Sequence, residues 1–190
     1  VCSSDLANNW AVFHKNLTRP DPFLADLISN PGPRYTLNIG SLTSGYLSLN
    51  NTSAAVAYSM DAQTNGANAR YVAYVWAEIE GYSRFNEYMG NGNADGPMVT
   101  LGFKPAFLMI KNATATGSWR MFDSSRNPIN PTDVTLIAEN TTAETASAAG
   151  ITIDFLSNGF KVRSTDGSLN TLTNRYVYAA DRKSTRLNSS

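Results

Sequence analysis

Between Ile151 and Arg163 the chain reads Ile-Thr-Ile-Asp-Phe-Leu-Ser-Asn-Gly-Phe-Lys-Val-Arg, with apolar and polar residues alternating on both sides of an Asn-Gly pair. Successive side chains on a strand point to opposite faces, so Ile151, Ile153 and Phe155 share one face of the first arm. Phe160 and Val162 share a face of the second. Asn158-Gly159 is expected to supply the positive φ that a tight hairpin turn requires. This places one buried face on each of two adjacent strands.

The same grammar runs through the second half of the chain. Met98 to Phe103 stops at Lys104-Pro105, and Ala106 to Lys111 resumes at once. Next come Ser118 to Asp123, where Trp119, Met121 and Asp123 alternate with Arg120 and Phe122, then Val134 to Ala138, and finally Arg175 to Ala179. Short β-branched and aromatic runs between turn formers imply an all-β fold, an antiparallel β-sandwich of jelly-roll or lectin-like form. Composition agrees: charged residues are only 16% while aromatics reach 11%, which disfavours helix surfaces and suits half-buried pleated ones. The exception is Asp21 to Ile28, where Phe23, Leu24, Leu27 and Ile28 fall on one helical face; a short helix inside a long loop is expected there.

Self-similarity suggests two diverged tandem copies. Trp10 to His14 matches Trp119 to Asp123, Leu49 to Ala54 matches Ala138 to Ala143, and Arg70 to Tyr74 matches Arg175 to Ala179, in the same order. The expected division is a first β repeat over 7–85, truncated at its start, and a second over 86–180, its last strand cut short.

The extreme ends read differently. Val1-Cys2-Ser3-Ser4-Asp5-Leu6 is the translation of GTG TGC TCT TCC GAT CT, the end of a short-read sequencing adaptor. Asp181 to Ser190 translates its reverse complement. Residues 1–6 and 181–190 are therefore expected to be adaptor-derived and foreign to the fold. Setting them aside leaves 12 Lys+Arg against 13 Asp+Glu, and removes the single cysteine, Cys2. Without a basic cluster, nucleic acid is not an expected partner, because phosphate contacts need Lys and Arg in quantity. No apolar run approaches a membrane-spanning length, so membrane insertion is not expected.

Three segments resemble a domain that occurs as tandem repeats in tail-fibre and tail-appendage proteins of tailed bacteriophages. They are Tyr71 to Phe85 followed by Gly90 to Pro97; Gly102-Phe103-Lys104-Pro105-Ala106-Phe107-Leu108-Met109-Ile110-Lys111; and Ile153 to Arg163. The resemblance covers nearly all of 70–180 and 7–69 more loosely. It implies a structural or adhesive module of the virion, without cofactor and without catalysis. Its implied partners are a host cell-surface glycan or protein receptor and other tail proteins, with room for homo-oligomerisation. Two rival readings are a tail-borne glycan depolymerase and a cellular carbohydrate-binding domain.

Few residues stand out chemically. His14 is the only histidine, and its repeat counterpart is Asp123, so a polar position is expected rather than a catalytic base. Glu78 and Glu80, on one face if their strand continues, and Glu87 are the carboxylates a glycosidase would need, but solvated strand-end charges are expected. Asn91 to Gly96 has oxygen residues at alternate positions and glycine at the sixth, as in a calcium loop. The twelfth-position Glu is missing, because residue 102 is glycine; a turn linking the copies is expected, and no metal site. Glycosylation sequons begin at Asn16, Asn51, Asn112 and Asn140 and are expected to be compositional. Surface recognition falls to Tyr82, Phe85 and Tyr88, with Asp21 and Phe23 in the long loop from Lys15 to Gly45, because loops carry recognition over a fixed scaffold. Trp76 is expected to pack in the core or between the copies.

Overall fold

The computed structural model describes residues 2–4, 14, 16, 39–43, 46–49, 70–138, 141, 143–146 and 150–182. Among them every regular element is a β-strand, every pairing is antiparallel, and there is no helix. The chain forms two compact units, Val1–Trp76 and Ala77–Ser190. In the first, β1 (Cys2–Ser4) pairs with β4 (Tyr71–Ala73), and β2 (Ile39–Thr43) pairs with β3 (Tyr46–Leu49). The helix expected over Asp21–Ile28, the Lys15 to Gly45 loop apart from Asn16 and its strand residues, and the repeat anchor Trp10 lie outside the described residues.

The second unit is a β-sandwich. Its larger sheet has the order β10 (Thr145–Ala146), β9 (Val134–Ile137), β8 (Arg120–Asp123), β7 (Phe107–Asn112), β13 (Arg175–Asp181), β5 (Ser83–Met89). Its smaller sheet has the order β11 (Ile153–Leu156), β12 (Gly159–Val162), β6 (Met98–Thr100). The core lies between them. Tyr88, Leu108, Ile110, Phe122, Tyr176 and Tyr178 come from the larger sheet. They meet Val99, Ile153, Phe155, Phe160 and Val162 from the smaller. These are the inward positions of each strand's period-two alternation, so apolar burial sets the register. Phe160 packs edge-on to both Tyr88 and Tyr178, with centroids 6.0 and 5.4 Å apart, while Tyr88 stacks on Tyr176 at 5.1 Å.

The hairpin expected from Ile151 to Arg163 is present, with Phe155 opposite Phe160 and Leu156 opposite Gly159. Its turn residues are Ser157 and Asn158, and Thr173 is the only described non-glycine residue with positive φ. Gly159 is therefore needed for another reason. A Cβ there would sit 2.0 Å from the Val99 carbonyl oxygen on the neighbouring strand β6. Close strand approach, not turn conformation, demands the glycine.

Three further expectations are corrected. A boundary at 85/86 would cut β5, a continuous strand hydrogen-bonded along its length to β13. Asn91 to Gly96 joins β5 to β6 inside the second unit rather than linking two copies. The strand through Tyr71 does not continue to Glu80: it ends at Ala73, and Ile79 turns back to bridge Ser83, so Glu78 and Glu80 do not share a strand face. At the ends, Cys2–Ser4 pairs with Tyr71–Ala73, and Asp181 is opposite Ser83 and Phe107.

Candidate functional site

Three connections crowd one end of the sandwich: 90–97 after β5, 113–119 after β7 and 163–174 after β12. The sequence makes them polar and glycine-rich, and the structure holds them with side-chain amides. Asn170 is fully buried. Its Nδ2 donates to Asn91 Oδ1 (2.9 Å), to the Asn93 carbonyl (2.7 Å) and to the Ser164 carbonyl (2.8 Å). Its Oδ1 accepts from the Asn91 N–H at 2.7 Å. One side chain thus ties the 90–97 loop to the 163–174 loop. Asn112 does the same for the third loop. Its Oδ1 accepts from Thr114 and Ala115 N–H, and its Nδ2 donates to the Gly167 carbonyl at 2.9 Å and to Tyr176 Oη at 3.2 Å. The sequon at Asn112 therefore sits on a buried, fully engaged amide.

Two core tyrosines extend this frame upward. Tyr88 Oη donates to the Leu169 carbonyl at 2.8 Å; Tyr176 Oη donates to the Gly167 carbonyl and accepts from Thr171 N–H. Burial pushes the Tyr88 hydroxyl well above its ordinary value, with the neighbouring Tyr176 adding to the shift. Each ring sits in the core while its hydroxyl fixes a loop carbonyl. Gly90 completes the fit: a Cβ there would lie 2.1 Å from the Thr171 carbonyl oxygen.

The resulting rim is tied down by hydrogen bonds and exposed. Leu172 is 62% exposed at its tip. It is followed by Thr173 at φ 65°, a conformation a β-branched residue rarely adopts. Thr173 is held there by its N–H donating to the Gly90 carbonyl (3.0 Å) and by Gly90 N–H donating to the Asn174 carbonyl (2.8 Å). Beside the tip, Asn93 N–H donates to Asn91 Oδ1 and Asp95 N–H to Asn93 Oδ1. Asp95 Oδ1 meets Lys161 Nζ at 2.8 Å and Arg163 at 3.4 Å. The hydrogen bond and charge of Lys161 lower the Asp95 carboxyl below its ordinary value. Arg163 also pairs with Asp154 at 2.8 Å. The oxygens of the calcium-like loop are thus engaged within the protein, and no group of three or more His, Cys, Asp or Glu able to hold a metal occurs among the described residues. The arrangement offers a fixed polar rim with one apolar projection, suited to contact.

The residues singled out from sequence are not gathered here. Tyr82 is exposed in the turn before β5, at the opposite end of that strand from the loops, and Phe85 is half-buried on the outer sheet face. Tyr88 cannot serve as a surface residue: it is a core side chain, buried because even-numbered positions of β5 face inward. Asp21 and Phe23 lie outside the described residues. Trp76, expected in the core or between the copies, is 59% exposed and stacks on Tyr74 at 6.2 Å. His14 is buried, its Nδ1 accepting the Asn16 N–H at 3.2 Å. Glu78 lies 3.8 Å from Arg84, and Glu87 lies 3.5 Å from Arg175. Sequence reasoning missed Asn170, Leu172 and Thr173. The available signal was a turn-rich stretch from Ser164 to Asn174 broken by two leucines, of which Leu169 anchors in the core and Leu172 does not.

The chain belongs to the family described as Domain of unknown function (DUF7483), whose model matches residues 1–183. No curated protein and no solved structure matches it.

Proposed function

We propose that this domain is a structural or adhesive module of a bacteriophage tail fibre or tail appendage, which binds a host surface or a neighbouring virion protein without turning it over. The observation that carries the reading is the loop end of the second unit, where Asn112, Asn170, Tyr88 and Tyr176 fix three loops into one exposed rim. A preordered rim loses little conformational entropy on binding. Repetition of such modules on a virion would raise weak contacts to useful avidity. The motif resemblance at Gly102 to Lys111 and Ile153 to Arg163 supplies the virion context.

The test uses the intact gene product carrying this domain, incubated with cells and with envelope polysaccharides of candidate hosts. Retention on cells, lost on replacing Leu172 by Asp and kept on replacing the distant Tyr82 by Ala, is the expected result. Equal retention by both variants would remove the loop end from the reading. New reducing ends released from polysaccharide, abolished by Glu78→Gln or Glu80→Gln, would replace it with the depolymerase.

A further inference from the structure

The edge strand β5 is the longest strand edge among the described residues, and its hydrogen-bond parity can be read from its two ends. Arg182 N–H donates to the Tyr82 carbonyl and Gly90 N–H to the Asn174 carbonyl, both at 2.8 Å. Even-numbered residues of β5 therefore bond to β13, and the N–H and C=O of Ser83, Phe85, Glu87 and Met89 point outward. Such a row templates pairing with another chain.

The other edges of the sandwich are short or covered. β10 has two residues and β6 three. The outer edge of β11 is filled by Asn130, whose amide exchanges two 2.9 Å bonds with the backbone of Phe155, and by Thr132, whose backbone does the same with Ile153. Among the described residues, backbone closes only the first residue of β5: Ser83 N–H donates to the Ile79 carbonyl, and Ile79 N–H to the Ser83 carbonyl. Phe85, Glu87 and Met89 have no strand partner on this side among the described residues, and Met89 is 55% exposed.

One register would use that whole remaining edge for a second copy in antiparallel pairing. It places Phe85 opposite Met89 of the second copy, twice, two favourable apolar pairs. It also places Glu87 opposite Glu87, at a Cα separation of about 5.5 Å. Like charges directly opposite oppose pairing. Each carboxylate keeps the Arg175 of its own copy at 3.5 Å, which lessens this repulsion but supplies no partner across the pair. The central donor is already taken, since Glu87 N–H donates to Asn86 Oδ1 at 2.9 Å.

We propose that Asn86 and Glu87 are gatekeepers that keep β5 from pairing edge to edge with β5 of a second copy of this chain. Asn86 withdraws the central backbone donor, and Glu87 sets charge against charge in the register that would otherwise be best. The partner they exclude is the chain itself.

The experiment compares the wild-type chain with Asn86→Val/Glu87→Thr by size-exclusion chromatography with light scattering over a range of concentrations, against the 20.6 kDa of one chain. The double variant is expected to self-associate about tenfold or more strongly than wild type, given a removed like-charge pair and a restored donor. Adding Phe85→Lys should return it to wild-type behaviour. Glu87→Thr alone, which keeps the Asn86 amide, should fall between, and near-ultraviolet circular dichroism establishes that each variant is folded. Register is read by Glu87→Cys in an Asn86→Val, Cys2→Ser background. A disulfide-linked dimer on mild oxidation is expected, because residue 87 faces its own copy. Phe85→Cys in the same background should not crosslink, its copies lying about 14 Å apart. A double variant that associates no more than wild type, or association that Phe85→Lys leaves intact, or crosslinking through residue 85 instead of 87, would each overturn the proposal.

Discussion

Replacing Asn170 by Ala removes a side chain that makes four hydrogen bonds from a fully buried position. The four do not count equally. Asn91 and Asn93 are exposed, so the groups they lose can turn to water, whereas the bond to Ser164 links two buried residues and its carbonyl has no such recourse. One buried acceptor left unsatisfied costs about 1–3 kcal/mol, and the loss of the remaining, water-replaceable bonds adds about 0.5–1.5 kcal/mol. The expected destabilisation is therefore about 2–4 kcal/mol. With a urea slope of roughly 2 kcal/mol/M, the midpoint should fall by about 1–2 M. Equilibrium unfolding followed by tryptophan fluorescence measures it, since buried Trp119 lies in the same unit. Asn170→Asp sharpens the test. It keeps the shape but aims a carboxylate oxygen at the Asn93 and Ser164 carbonyls, and should cost more than Ala at neutral pH. A midpoint shift below about 0.3 M for Ala, or Asp milder than Ala, would refute the view that this amide holds the loops together.

Gly159→Ala should cost about 2 kcal/mol or more, because its Cβ would meet the Val99 carbonyl at 2.0 Å. Asn at the same position, which a positive-φ turn would tolerate, should be at least as harmful in the same urea titration. Thr173→Gly should raise stability by about 1 kcal/mol by relieving the residue at φ 65°; a neutral or negative shift in melting temperature would show that the turn is not strained. Burial above all pushes the Tyr178 hydroxyl up to about 12. The folded value exceeds the unfolded one, so the resulting stability is present in full below about pH 10 and is lost as pH rises towards 12. Spectrophotometric titration should show tyrosines that ionise late, together with unfolding; Tyr88 is another of them, so the loss of one tyrosine's late amplitude in Tyr178→Phe assigns the share of Tyr178.

The strands of the second unit were legible because burial has a period. Ile151, Ile153, Phe155, Phe160 and Val162 all lie in the core as their alternation requires. β5 was the exception. Ser83 to Met89 mixes Arg84, Asn86 and Glu87 with Phe85 and Tyr88, and as an edge strand it has one neighbouring strand among the described residues and a half-exposed outer face. That is why Tyr88 read as a surface aromatic while packing on Tyr176. The site was less legible than the fold. Gly159 is read from sequence as a turn former and Gly90 carries no reading of its own, yet each is fixed by a carbonyl belonging to a distant strand or loop. Asn170 carries little local signature, because three of its four bonds reach Asn91 and Asn93, across the sandwich end.

Asparagine recurs in this fold as a substitute for backbone, and that role separates it from aspartate. Its amide carries a donor and an acceptor, like a peptide unit, and can fill a ladder position that no strand reaches. Asn130 does so against Phe155, donating to the carbonyl and accepting from the N–H, both at 2.9 Å. Asn86, Asn112 and Asn170 do it for an edge, a loop and a pair of loops. Asn130→Asp is the discriminating change. The carboxylate still accepts from Phe155 N–H but now opposes the Phe155 carbonyl, so at neutral pH the variant should lose about 1–2 kcal/mol relative to wild type. Protonation restores a donor, which raises the folded pKa of the new carboxyl above its unfolded value near 4. The group then favours folding below that value and ceases to do so as pH rises through the folded one. The gap to wild type in urea midpoint should therefore narrow on acidification below about pH 4. A gap that is constant with pH would mean that the amide acts only by filling space.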